Sequence, residues 1–124
     1  MLIKESAENY LEAVLKTSQK KGYVRSVDIA NDLGVSKPSV SVAMKRFREE
    51  GYVTIDTDGC IRLTEKGAAI AERVYERHRL IAQILIRLGV SEETAFEDSC
   101  KIEHDLSEES FEKIKAYVEK GGLV

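Results

Sequence analysis

The segment Cys100-Lys101-Ile102-Glu103-His104 places three chemically active side chains at a spacing that matters. On a helix, positions 100, 103 and 104 stand at i, i+3 and i+4, so a thiol, a carboxylate and an imidazole share one face. These are metal ligands of different softness, and together they suit a divalent cation. The same residues would also serve as a solvated polar face, with Cys100 as a small core residue. A metal site therefore needs further ligands from elsewhere in the chain. Asn9 and Glu12, at i and i+3 of an opening helix, can point at a common spot, although a solvated face would explain them equally. His78 is one of only two histidines, the other being His104. It falls on an apolar helical stripe, where histidines are usually satisfied core residues. Yet its own helix offers few polar partners, and a metal is one way to occupy a buried imidazole.

The elements that must position these residues are legible from periodicity. Ser6 can cap a helix running to about Lys21, with Leu11, Val14 and Leu15 inward and Gly22 as terminator. Ser26 opens a short helix, Val27 to Leu33, whose inward residues are Ile29, Ala30 and Leu33. Gly34-Val35 turns the chain, and Ser36 caps a third helix with Pro38 in its first turn, where a missing N–H is harmless. Val40, Met44 and Phe47 form its inner stripe. Helix, glycine turn, helix is the helix-turn-helix arrangement. The outer side of the third helix offers Ser36, Lys37, Pro38, Ser39, Ser41, Val42, Lys45 and Arg46. Small hydroxylated residues allow close approach to base edges, while Lys37, Lys45, Arg46 and Arg48 can meet phosphates.

Tyr52 to Ile55 and Cys60 to Leu63 alternate like strands around Asp56-Thr57-Asp58-Gly59, a hairpin turn. Three helices and a ribbon make a winged helix. The wing tip is acidic, with Arg62 its one obvious phosphate partner, and Cys60 reads as a strand residue without chemistry. Thr64 caps a long helix from Glu65 to about Leu88, ended by Gly89, with Ala71, Val74, Ile81, Ala82, Leu85 and Leu88 on its apolar stripe. Ser91 opens the helix bearing the thiol, carboxylate and imidazole. Ser107 opens a last one carrying Phe111, Ile114, Ala116, Tyr117 and Val118. The expected fold is thus mainly α: a winged helix-turn-helix DNA-binding domain over residues 1–66 with a two-stranded wing, then a helical domain over 67–124.

Bulk properties agree. The 124 residues suit one domain or two small units, and 43% hydrophobic with 33% charged residues is ordinary for a globular protein. No apolar run approaches the roughly 18 residues a membrane helix needs. No signal peptide is recognisable, so the expected compartment is the cytoplasm, with Cys60 and Cys100 as thiols. The net charge of −3 argues against nucleic acid only until its distribution is read. Residues 1–66 carry 11 basic against 10 acidic side chains, whereas residues 87–124 carry 5 against 10. The acidic load lies at the C-terminal end and leaves the N-terminal part able to present a basic face.

The pieces together resemble the metal-dependent repressors of the diphtheria toxin repressor class, most closely their short manganese-regulator branch. The marks are Ser6-Ala7-Glu8-Asn9-Tyr10-Leu11-Glu12, Asp28-Ile29-Ala30 and Val35-Ser36-Lys37-Pro38-Ser39-Val40. Further ones are Leu63-Thr64-Glu65-Lys66-Gly67, Arg77-His78-Arg79-Leu80 and Ile102-Glu103-His104. They span essentially the whole chain, which ends before the SH3-like domain of long members and so is expected to belong with the short ones. The resemblance implies a homodimer, with residues 67–124 as its helical metal-binding and dimerisation domain, that binds a divalent metal, then a palindromic double-stranded operator, and represses metal-uptake genes. Its metal ligands map onto Asn9, Glu12, His78, Cys100, Glu103 and His104. Asn9 stands where manganese regulators have aspartate, and Cys100 where they have glutamate. Iron-responsive members carry cysteine at that second position, but Ala82 and Phe96 replace two ligands of their ancillary site.

Asn9 is a weaker donor than a carboxylate, and a Cys100 thiolate favours Fe²⁺, Co²⁺ or Zn²⁺ over Mn²⁺. Cys100 could instead offer only its backbone carbonyl. The expected corepressor is Mn²⁺ or Fe²⁺, with Co²⁺ or Zn²⁺ able to substitute in vitro. Its expected action is a population shift that sets the two recognition helices of the dimer about 34 Å apart. A rival reading keeps the winged helix and has the repressor respond to an organic ligand or to thiol oxidation at Cys100. A metallohydrolase with Glu12 or Glu103 as general base lacks a phosphate loop or nucleophile arrangement to support it.

Overall fold

The computed structural model describes residues 5–122. Among them the order is α1 (Glu5–Lys21), α2 (Ser26–Leu33), α3 (Lys37–Glu49), β1 (Val53–Ile55), β2 (Ile61–Leu63), α4 (Glu65–Arg87), α5 (Glu92–Asp105) and α6 (Glu108–Glu119). Two compact units result, Met1–Arg73 and Val74–Val124.

In the first unit, α1 buries Leu11, Val14 and Leu15, α2 buries Ile29 and Ala30, and α3 buries Val40, Met44 and Phe47. These are the stripes that the helical period predicts. Phe47 meets Tyr10 and Tyr52 edge-on, with ring centres 6.1 and 6.3 Å away, which joins α1, α3 and the start of the wing. The α2–α3 turn requires Gly34, whose φ of 67° is left-handed. Ser36 then caps α3, its Oγ accepting from Ser39 N at 3.2 Å. One expectation shifts. Helix α1 already includes Glu5, so Ser6 lies within the helix rather than preceding it.

The wing is a short antiparallel ribbon in which Thr54 pairs with Arg62. Asp56 closes its tip, with Oδ1 accepting from the backbone N–H of Asp58 and of Cys60 at 2.9 and 3.0 Å. Ile61 N donates to Val24 O at 2.7 Å, so the segment after α1 covers part of the outer edge of β2. The Thr64-Glu65-Lys66-Gly67 run has a structural reason. Thr64 Oγ1 donates to Gly51 O at 2.6 Å and accepts from Gly67 N at 3.1 Å. Lys66 Nζ donates to Glu50 O at 3.1 Å and lies 4.3 Å from the centre of the Tyr52 ring. At Gly67 a β-carbon would stand 2.0 Å from Tyr52 O, so no larger residue fits. The end of the recognition helix and the start of α4 are thereby tied to each other.

In the second unit, Val74, Ile81 and Ala82 of α4 are buried with Ala95 of α5 and Phe111 of α6. Leu88 departs from the expected stripe: it is 65% exposed, just beyond the end of α4 and before Gly89, whose φ of 105° turns the chain away. Tyr117 on α6 is likewise exposed. Lys115 Nζ pairs with Glu76 at 2.6 Å, an exposed link between α6 and α4. Among the described residues no helix is long and apolar enough to cross a membrane.

The start of α2 gives a pH test. Asp28 accepts from Lys21 Nζ at 2.6 Å and from Arg25 N at 2.9 Å. The Lys21 bond, more than the Arg25 N–H, holds the Asp28 carboxyl below its ordinary value of 3.8. A lowered carboxyl adds stability above the unfolded pKa, and that stability is lost as pH falls through the folded one. Asp28→Asn is therefore expected to unfold at lower denaturant than the parent at pH 7. The two midpoints should converge as the pH drops below 3.8.

Candidate metal centre

Helix α5 begins at the Ser91 cap, whose Oγ accepts from Thr94 N at 3.4 Å, and Glu92 and Glu93 in its first turn complement the helix dipole. Its buried side comprises Ala95, Ser99 and Glu103. Cys100, Glu103 and His104 each offer a ligand atom, and these three atoms lie within 4.8 Å of one another. The face predicted from spacing is therefore formed. Glu103 is 4% exposed, and its Oε1 lies 3.4 Å from His104 Nε2. Carrying a carboxylate to that depth is costly in the absence of compensating charge or hydrogen bonds.

From α4, His78 brings a ring nitrogen within 4.8 Å of a Glu103 oxygen. Another contact of this imidazole is informative: Nε2 stands 3.2 Å from the carbonyl oxygen of Phe96. A carbonyl only accepts, so the neutral ring carries its proton on Nε2 and its lone pair on Nδ1. Histidines that ligate metals are commonly oriented by such a bond at their second nitrogen. The Phe96 ring also packs edge-on against His78, with centres 5.8 Å apart. Phe96, in the sequence only a missing ancillary ligand, thus orients the histidine through its backbone.

The donor set fits a divalent cation. With ligand distances of about 2.0–2.3 Å, two ligands of one ion stand at most about 4.6 Å apart. The ligand atoms of Cys100, Glu103 and His104 are thus gathered at close to that limit or within it. Sulfur, nitrogen and carboxylate oxygen together suit a borderline ion. Asn9 and Glu12 lie one turn apart on α1 in the first unit, Asn9 half-buried and Glu12 5% exposed.

Ser36, Lys37, Pro38, Ser39, Ser41, Val42, Lys45 and Arg46 are all exposed. Ser36 is committed to capping, since its Oγ also donates to Ser39 Oγ at 2.8 Å. Val42 is 65% exposed, an apolar group on the outer face of α3 of the kind that meets thymine methyls. Arg46 reaches Glu50 at 3.9 Å, an exposed pairing too weak to hold it from a phosphate.

One residue that sequence reasoning placed only among the family marks is Arg77. Its guanidinium donates to Glu103 O at 2.8 Å and to Leu106 O. The signal was available: α5 ends at Asp105-Leu106-Ser107 without a glycine, so its last carbonyls need a donor from elsewhere.

Comparison with known proteins decides the family. The profile of the iron-dependent repressor N-terminal DNA-binding domain matches residues 2–60, and that of the family's metal-binding and dimerisation domain matches residues 64–121. An HTH-type transcriptional regulator of Methanocaldococcus jannaschii is 34% identical over 118 residues, covering 94% of both chains. The transcriptional regulator MntR of Escherichia coli O6:H1 is 33% identical over 119 residues, covering 96% of this chain and 77% of its own. The chain belongs to the iron-dependent repressor family. A solved manganese-dependent transcriptional repressor in complex with manganese is 27% identical, with a TM-score of 0.78 over 89% of this chain. This chain spans 51% of that one's length. As a family member it is a metal-dependent transcriptional repressor with a DNA-binding and a dimerisation domain, not an enzyme. Its fold is the expected one, mainly α with a winged helix-turn-helix followed by helices.

Cobalt(II) tests the part played by the thiol. Adding it is expected to produce a sulfur-to-metal charge-transfer absorption that Cys100→Ser abolishes. The affinity loss should be at least as large as the roughly tenfold that even outer-sphere partners cost. Unchanged spectra would leave Cys100 its backbone carbonyl alone.

Proposed function

We propose that this repressor controls manganese or iron homeostasis, with Mn²⁺ or Fe²⁺ as its corepressor, and that Asn9, Glu12, His78, Cys100, Glu103 and His104 form its ligand set. The observation that carries the reading is the approach of Cys100, Glu103 and His104 within 4.8 Å of one another, with His78 beside Glu103. It lies in the segment matched by the metal-binding and dimerisation domain. Asn9 and Glu12 enter on the family resemblance and on their shared face of α1. The manganese-bound relative supports Mn²⁺, whereas Cys100 supports a softer ion.

In this reading residues 1–66 bind DNA and residues 67–124 bind metal and dimerise, in the cytoplasm. Ser39, Ser41 and Val42 read base edges, and Lys37, Lys45 and Arg46 meet phosphates, around Ser36 and Pro38 at the start of the recognition helix. The metal, when bound, supplies positive charge that holds the carboxylates of Glu12 and Glu103 at one point. The chain's own residues do the rest: Phe96 O orients His78, and α5 presents Glu103 and His104 as a fixed pair. Metal binding acts as a population shift in this reading. That favours the arrangement in which a dimer meets both halves of a palindrome.

The test uses duplexes selected from a random pool by the metal-loaded protein. With Mn²⁺ or Fe²⁺, binding measured by fluorescence anisotropy is expected to tighten by roughly 5–150-fold, an ordinary coupling for such a switch. Glu103→Ala and His104→Ala should each remove that gain while circular dichroism stays unchanged. Metal stimulation surviving in both variants would refute the reading. Release of DNA by thiol oxidants, and not by chelators, would favour redox control at Cys100.

A further inference from the structure

The last turn of α5 carries Glu103 and His104, and it ends in an unusual way. Its final residue is Asp105 and its C-cap, Leu106, is extended with ψ of 130°. A helix end leaves several carbonyls without intrahelical partners, and a left-handed glycine commonly supplies the missing N–H groups. Here no such glycine follows. Arg77 of α4 takes over, one terminal nitrogen of its guanidinium donating to Glu103 O at 2.8 Å and to Leu106 O. The guanidinium also stands 5.2 Å from the centre of the Phe111 ring on α6. One side chain of α4 therefore reaches both of the other helices of the second unit.

We infer that Arg77 is a positioning residue for the metal switch: it holds the backbone at Glu103 against α4 so that His78 and His104 are each preset at ligand spacing from Glu103. Arg77 and His78 are consecutive on α4. The same short stretch thus supplies a backbone clamp on α5 and a side chain whose ring nitrogen comes within 4.8 Å of Glu103. Fixing Glu103 O sets the distance between the two helices, and that distance sets the separation of the ligands. Arg77 Nε is buried and has no hydrogen-bond partner among the described residues. Leaving a buried donor unmet is unfavourable. The guanidinium is therefore held by its two carbonyl contacts and the aromatic face, not by a full complement of bonds.

The sign of the effect separates positioning from charge. A cation beside a metal site opposes a second cation, so on electrostatic grounds alone removing Arg77 would tighten metal binding. Positioning demands the opposite. This inference rests on the metal reading above, and its test distinguishes the two. Mn²⁺ affinity is measured by chelator competition without DNA, and the visible spectrum of bound Co²⁺ is recorded, for the full-length protein, Arg77→Met, Arg77→Lys and Glu103→Ala. All measurements are made well below each protein's melting temperature.

Arg77→Met is expected to bind Mn²⁺ about 10–100-fold more weakly, the usual cost of losing a partner that orients ligands, and to shift the Co²⁺ spectrum. Arg77→Lys keeps a donor of shorter reach and should recover part of that loss. Wild-type or tighter Mn²⁺ binding by Arg77→Met, with an unchanged Co²⁺ spectrum, would overturn the inference even if its melting temperature fell. Should the methionine variant not fold, the lysine variant decides alone: weaker binding with an altered spectrum supports positioning, and wild-type behaviour overturns it. Wild-type affinity in Glu103→Ala would remove the metal reading itself, and this inference with it.

Discussion

A carboxylate carried almost wholly out of solvent is the constraint around which the second unit is arranged. Glu103 is 4% exposed, and an ionised group at that depth must be compensated by charge or hydrogen bonds. Neighbours that could share a cation gather at this point: the Cys100 thiol, the His104 imidazole and, from α4, His78. A purely apolar side chain at 103 would pack three helices with less difficulty. In the proposed reading a cation accounts for a carboxylate at this depth, and the packing of α4, α5 and α6 holds it in place.

The first unit solves a different problem, that of presenting one helix rigidly to DNA. Its rigidity comes from both ends of α3. At the start, Gly34 makes the sharp turn and Ser36 caps the helix. At the end, Thr64 and Lys66 bond the carbonyls of Gly51 and Glu50, while Gly67 lets α4 approach the backbone of Tyr52. Helix α4 begins at the foot of the recognition helix and, further along, carries His78. Sequence continuity alone therefore joins the element that reads DNA to one that lines the candidate site.

Much of this was legible in the sequence because it rests on periodicity and on local caps. The inner stripes of α1 and α3, the Ser36, Thr64, Ser91 and Ser107 caps, and the shared face of Cys100, Glu103 and His104 need only short-range geometry. Leu88 was misplaced because the stripe of α4 was extended past the point where Gly89 redirects the chain. Arg77 and Phe96 escaped for a deeper reason. Both act on or through backbone carbonyls, Arg77 as donor to Glu103 and Leu106, and Phe96 as acceptor from His78. Backbone groups are the same at every position, so no residue pattern marks their partners. The Asp28 bond to Lys21 was missed similarly, since it spans the turn between two helices.

The central claim is that Glu103 is a ligand of a divalent cation, with partners from α4 and α5. Anomalous diffraction from crystals grown with Mn²⁺, collected on either side of the manganese absorption edge, addresses it without recourse to activity. The account predicts a strong peak at this site, about 2.0–2.3 Å from a Glu103 oxygen and from a nitrogen of His78 or of His104. Manganese found only at surface carboxylates, with Glu103 and both imidazoles unligated, would contradict it.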